Sequence, residues 1–145
     1  MRSALAGLCI EALWPTLTLG LSAFHPLAAL VQAQTSEADS AGTVDRFLRT
    51  LGSGHPDRLG SLVTDRVANG DGHSLRRSQI VDLHTAFTTF MFGPMRSFDC
   101  EPPAAGIVTC TLHFQSRSLR QRYTVTSGLI SGIETIPFAS DSTSK

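Results

Sequence analysis

The chain has 145 residues, 12 basic and 12 acidic side chains, and a formal net charge of zero. Neutrality removes any electrostatic reason to seek nucleic acid or an anionic lipid surface. Hydrophobic residues make up 41%, enough for one packed core.

Met1 and Arg2 open a stretch whose residues 12–31 include no Asp, Glu, Lys or Arg, and Val31-Gln32-Ala33 closes it with small residues at either side of Gln32. A basic start, an apolar middle and a small-x-small exit are the layout of a secretory leader, here 1–33. Glu11, Pro15 and Pro26 interrupt it. An uncharged run of this length, at a helical rise of ~1.5 Å per residue, would also cross a ~30 Å bilayer once. The leader is therefore either cleaved after Ala33 or kept as an anchor, and only the second involves a membrane. Both readings place the domain in the periplasm or outside the cell.

Removing 33 of 145 residues leaves 112, the length of one domain. Cys9 leaves with the leader, so Cys100 and Cys110 remain as an even pair in an oxidising compartment. They form either a disulfide or two buried thiols. Residues 34–42 are small and polar and predict a spacer. Residues 139–145 form a polar tail with no sign of order.

From Thr43 the pattern is helical. Val44, Phe47, Leu48 and Leu51 fall on one stripe, with Thr43 as a cap and Gly52-Ser53-Gly54 as a stop. Pro56 opens a second short helix carrying Leu59, Leu62 and Val63. Asn69-Gly70-Asp71-Gly72 is a turn cluster. Ser74 is placed to cap a third helix whose apolar face would be Ile80, Leu83, Phe87 and Phe90, ended by Gly93-Pro94.

After Pro94 the period becomes 2. Phe98 and Cys100 alternate with polar residues, and Pro102-Pro103-Ala104-Ala105-Gly106 turns the chain. Val108, Cys110, Leu112 and Phe114 then face inward, with Thr109, Thr111 and His113 outward. Leu119, Tyr123 and Val125 point inward on the next strand, against Arg120, Arg122 and Thr124. Ser127-Gly128 leads to a last strand over 129–138, whose Gly132 marks a bulge. Pairing residue 100 with 110 puts Phe98 opposite Leu112 and Arg96 opposite Phe114. The cysteines and the apolar residues then share one face. The layout is α+β: three N-terminal helices packed against an antiparallel sheet of about four strands, all within 43–138.

This layout resembles the nuclear transport factor 2-like superfamily, with its ketosteroid-isomerase and SnoaL-like members. Three stretches carry the resemblance: Thr43-Val44-Asp45-Arg46-Phe47-Leu48 leading through Gly54-His55-Pro56-Asp57 to Leu62-Val63-Thr64-Asp65; the helix of 74–90; and Tyr123-Thr124-Val125-Thr126-Ser127-Gly128-Leu129-Ile130. It implies a curved sheet wrapping a long helix into a cone, and a pocket that members use for isomerisation, cyclisation, hydrolysis or simple binding. Fold does not choose among these. In the ketosteroid isomerases a first-helix tyrosine donates to the substrate oxygen; Phe47 stands there and has no donor. The general-base aspartate of that family lies on a strand before the third helix, whereas Asp71 here falls in the turn cluster.

The polar residues with catalytic potential are Asp71, His73, His84 and Asp99. Asp71 and His73 at a pocket mouth could move protons, but the favoured reading is a solvated turn with a helix cap. His84 either lines a pocket or lies on the helix surface. A calcium loop fails at the first register position, Val67, and at the bidentate one, Ser78. The histidines lack metal-ligand spacing, and no cofactor motif is present. An apolar pocket would draw on Phe47, Leu48, Phe87, Phe90, Phe98, Leu112, Phe114 and Tyr123. The expected function is an exported, non-catalytic domain that binds a small apolar ligand or a partner. The alternatives are a SnoaL-like isomerase, cyclase or hydrolase in which two of the four polar candidates converge, and a homodimer paired through the sheet face of Thr111, His113 and Arg122.

Overall fold

The computed structural model describes residues 25–138, with side chains from residue 36. The first helix, α1, spans His25–Gly52, and its stripe of Val44, Phe47, Leu48 and Leu51 is at most 1% exposed. It begins well before Thr43, and residues 34–42 are helical. Ser40 and Thr43 continue the buried stripe toward the N-terminus. Their hydroxyls donate to the carbonyls of Ser36 (2.8 Å) and Gly128 (3.3 Å), which makes burial of so small a polar group affordable. Thr43 is thus a packing residue and not a cap. The expected leader falls mostly outside the described residues, and the tail of 139–145 falls wholly outside them. Among the described residues no helix is long and apolar enough to cross a membrane.

A 3₁₀ helix, Pro56–Leu62, opens on its proline and buries Leu59. The next two elements are strands that the apolar spacing does not announce: β1, Val63–Asn69, and β2, Ser74–Arg76. They form a hairpin through the expected turn, where Gly72 adopts φ +84°. Ser74 therefore lies in a strand. The helix α2, Arg77–Ala86, is closed at its start by Gln79, whose Oε1 accepts the Arg76 backbone N–H at 2.9 Å. A π-helical turn, Phe87–Met91, continues it.

The remaining strands are β3 (Met95–Cys100), β4 (Ile107–Phe114), β5 (Ser118–Thr126) and β6 (Leu129–Ile136). All six form one sheet in the order β2-β1-β6-β5-β4-β3. The β1–β6 pair is parallel and the others antiparallel, so the sheet is mixed and has two strands more than expected. The expected register holds from Cys100↔Cys110 to Ser97↔His113. It then slips by one, because Met95, not Arg96, faces Phe114. A second irregularity pairs Thr124 with Gly132 and Val125 with Ile130, which is the bulge expected at Gly132. Bulges bend the strands that carry them and let the sheet curve around α1. Cys100 and Cys110 are disulfide-bonded across the β3–β4 pair, with Cα atoms 4.0 Å apart.

Candidate functional site

Alternation on β4 and β5 presents Val108, Cys110, Leu112, Phe114, Leu119 and Tyr123 to one face, each at most 8% exposed. The α1 stripe packs on that face, and α2 adds Ile80, His84 and Phe87 at i, i+4 and i+7. His84 is 1% exposed, so the imidazole belongs to the core and not to the helix surface. Its ring meets Phe47 edge-on at 5.3 Å between centroids and Phe87 at 5.5 Å. The Nδ1–H donates to the Ile80 carbonyl at 2.9 Å, which assigns the tautomer and leaves Nε2 as an acceptor. Nε2 has no partner, the single such buried side-chain atom among the described residues. Burial lowers the pKa of His84 below its ordinary 6.5, against a smaller upward effect of the Ile80 bond.

Tyr123 lies 5.8 Å from Phe47 between ring centroids, yet its hydroxyl is committed. It donates to Gln121 Oε1 at 2.7 Å, and Gln121 Nε2 donates onward to Thr135 at 3.2 Å. Burial pushes the phenol well above its usual pKa. Gln121, 2% exposed, is a core residue that the apolar pattern does not reveal, because alternation identifies a position's side and not its polarity.

The other polar candidates lie elsewhere. Asp71 and His73 are exposed in the β1–β2 turn, where Asp71 Oδ1 accepts the His73 backbone N–H at 3.0 Å. Asp99 is on the outer sheet face, accepting from His113 Nε2 at 3.2 Å, while Ser118 Oγ stands 2.8 Å from His113 Nδ1. A serine, an imidazole and a carboxylate in a row invite comparison with a nucleophile and its base. The row crosses three hydrogen-bonded strands on a face where the Asp99 side chain is 82% exposed. The same face pairs Arg120 with Glu101 and Arg122 with Glu134. Arg122 and His113, two of the residues considered for a dimer contact, thus have partners within the chain. No two of Asp71, His73, His84 and Asp99 meet side chain to side chain, and among the described residues no group of three acids, histidines or cysteines is placed to hold a metal.

Of the eight apolar pocket candidates, Phe47, Leu48, Leu112, Phe114 and Tyr123 are in the core. Phe87 and Phe98 pack partly against it, and Phe90 is 83% exposed. The π turn explains Phe90: an i→i+5 turn rotates the residues after Phe87 away from the stripe that a 3.6-residue period assigns them. Two grooves meet beside the C-terminus of α1. One, of about 400 Å³, runs between Leu51, Gly52, Gly54 and Pro56 on one side and Thr85, Thr88 and Thr89 on the other. The second, of about 390 Å³, is lined by Leu48, Arg49, Met95, Arg96 and Phe98. Met95 and Gly52 line both, and a Cβ at Gly52 would meet Met95 Cε at 3.2 Å.

No protein-family model matches the chain, and no curated protein matches it in sequence. Solved structures do share its fold. An uncharacterised cystatin-fold protein from Novosphingobium aromaticivorans superposes with a TM-score of 0.55 at 13% identity, covering 68% of this chain and 97% of that one. A candidate ketosteroid isomerase from Kribbella flavida gives 0.54 at 11%, covering 72% and 82%. A nuclear transport factor 2-like protein of unknown function from Cytophaga hutchinsonii gives 0.51 at 10%, covering 67% and 88%. Likeness at such identities carries the fold alone: the chain has the α+β cone architecture of nuclear transport factor 2-like proteins.

Proposed function

We propose that this is an exported, non-catalytic domain that binds a small, largely apolar ligand bearing one hydroxyl or N–H donor. The observation that carries the reading is the unpartnered Nε2 of His84, an acceptor with a fixed tautomer in an aromatic surround. An unsatisfied buried polar atom costs about 1–3 kcal/mol, a cost that persists in a core when the atom has a use. The threonine-lined groove offers the approach. Thr88 donates its hydroxyl to the His84 carbonyl at 3.2 Å, so groove and imidazole share one helical turn, and the partly buried Phe87 packs against the imidazole at 5.5 Å between ring centroids. A rotation of Phe87 about χ1 would admit a donor to Nε2 while the ligand's apolar body rests in the groove. The disulfide is in keeping with export.

The full-length protein titrated with 2-naphthol and with its O-methyl ether tests this. Naphthol should bind saturably and move the His84 Nε2 resonance, the ether at least tenfold more weakly, and His84→Leu should erase the difference. Equal binding of the two probes, or a preference that survives His84→Leu, overturns the reading.

A SnoaL-like enzyme is the second reading, favoured by the same atom, since a neutral imidazole with a free Nε2 is a competent base. It also requires a group to hold the developing negative charge. Phe47 has no donor and the Tyr123 hydroxyl is engaged with Gln121, so the binding reading is preferred.

A further inference from the structure

We propose that the groove between α1 and the edge strand β3 is a separate site for a single-chain alkyl carboxylate, a medium-chain fatty acid. Its distinguishing feature is the irregularity in β3. Met95 pairs with Phe114 and Ser97 with His113, which leaves Arg96 as the extra residue. A bulge re-aims a side chain, and here it brings Arg96 to the groove that Met95 also lines. Arg96 is exposed and makes no ion pair or side-chain hydrogen bond among the described residues. Across the groove, Arg49 gives its Nε to Asp45 at 2.7 Å and holds its guanidinium carbon 5.9 Å from the centre of the Phe98 ring. Its terminal NH2 groups have no protein partner among the described residues.

Two arginines thus flank an apolar floor of Leu48, Met95 and Phe98, and no acidic side chain lines the groove. A guanidinium fork matches the two oxygens of a carboxylate, and the floor suits methylenes. The volume of about 390 Å³ lies in the range of small-molecule sites. Single charge and chain-like shape follow from the site: Arg96, without an ion pair among the described residues, faces an Arg49 already shared with Asp45, and the hydrocarbon bed between them runs to Met95, the flexible residue between the grooves.

The test uses the full-length protein and calorimetric titration with decanoate below its micellar concentration. Decanoate should bind one per chain, decanol at least tenfold more weakly, and octanoate roughly fifteenfold more weakly, at about fourfold per methylene. Arg96→Ala should weaken decanoate at least tenfold with unchanged melting temperature, and Arg96→Lys should fall between, keeping the charge without the fork. Decanol equal to decanoate, full binding by Arg96→Ala, or tenfold preference for decyl sulfate each overturns the proposal. Decanoate binding lost in His84→Leu but kept in Arg96→Ala places the ligand in the interior and defeats the groove alone. Naphthol binding with no decanoate heat does the same.

Discussion

Replacing His84 with leucine separates a buried neutral imidazole from one that reaches solvent, because the two differ in their response to pH. The unfolded imidazole titrates near 6.5, and burial among Phe47, Phe87 and Ile80 holds the folded value lower. Between these values the unfolded chain binds one proton more than the native one, so stability rises with pH there and falls as pH drops. The contribution is fully present above about pH 7.5. It declines by about 1.4 kcal/mol per unit below 6.5 until the folded value is reached. At pH 5.5 the wild type should be less stable through this residue than at pH 8, by no more than about 1.4 kcal/mol. His84→Leu has no such slope. At pH 8 it also removes the orphaned acceptor at similar side-chain volume, so it should be neutral or up to about 2 kcal/mol more stable. Thermal unfolding followed by circular dichroism at pH 8, 6.5 and 5.5 measures both effects. The other histidines are common to both proteins, so the difference between them isolates His84. Parallel loss of stability in wild type and variant would refute the assignment of His84 as a buried, unpaired base.

Tyr123→Phe leaves Gln121 Oε1 without its donor and should cost about 1–2 kcal/mol in chemical denaturation. Tyr123→Phe combined with Gln121→Leu should recover part of that loss, and a double variant as unstable as the sum of the singles would show that the hydroxyl and amide do not interact. Reduction of Cys100–Cys110, or Cys100→Ser with Cys110→Ser, opens a loop of ten residues and should cost about 2.5–3 kcal/mol by chain entropy. Thiol titration of the oxidised, unfolded full-length protein should find one free thiol, that of Cys9, and three would contradict the bond.

The period-2 stretches were the most legible part of the chain. Val108 to Phe114 alternates without exception, and pairing Cys100 with Cys110 carries Phe98 onto Leu112 as observed. What period 2 cannot show is a residue that leaves the ladder, and the slip at Arg96 has no mark of its own. β1 escaped notice for a related reason. Val63 and Val67 are spaced as a helix stripe would be, and the parallel partner that makes them a strand, β6, lies more than sixty residues away. On α2 the apolar residues pointed to Leu83 and Phe90, which are exposed, because a reading by hydrophobicity skips histidine. The core-facing sequence Ile80, His84, Phe87 has good helical spacing once polarity is ignored. Ser40 and Thr43 repeat the lesson on α1, where hydroxyls bonded to carbonyls take positions that pattern reading reserves for carbon.

These departures share a cause that bears on function. Wherever a polar group replaces an apolar one in the interior, a partner comes with it: Ser36 for Ser40, Gly128 for Thr43, Gln121 for Tyr123, Thr135 for Gln121. His84 follows the rule at Nδ1 and breaks it at Nε2. Proton transfer with charge stabilisation needs at least two groups free to meet one reacting atom, and the Tyr123 hydroxyl of the same core is already engaged with Gln121. A lone acceptor in an aromatic surround can still discriminate strongly. A ligand that supplies its donor satisfies the atom, and one that lacks it must bury the acceptor unpaired, a difference of about 1–3 kcal/mol. That arrangement suits recognition better than turnover, and it makes donor selectivity the property through which His84 should reveal itself.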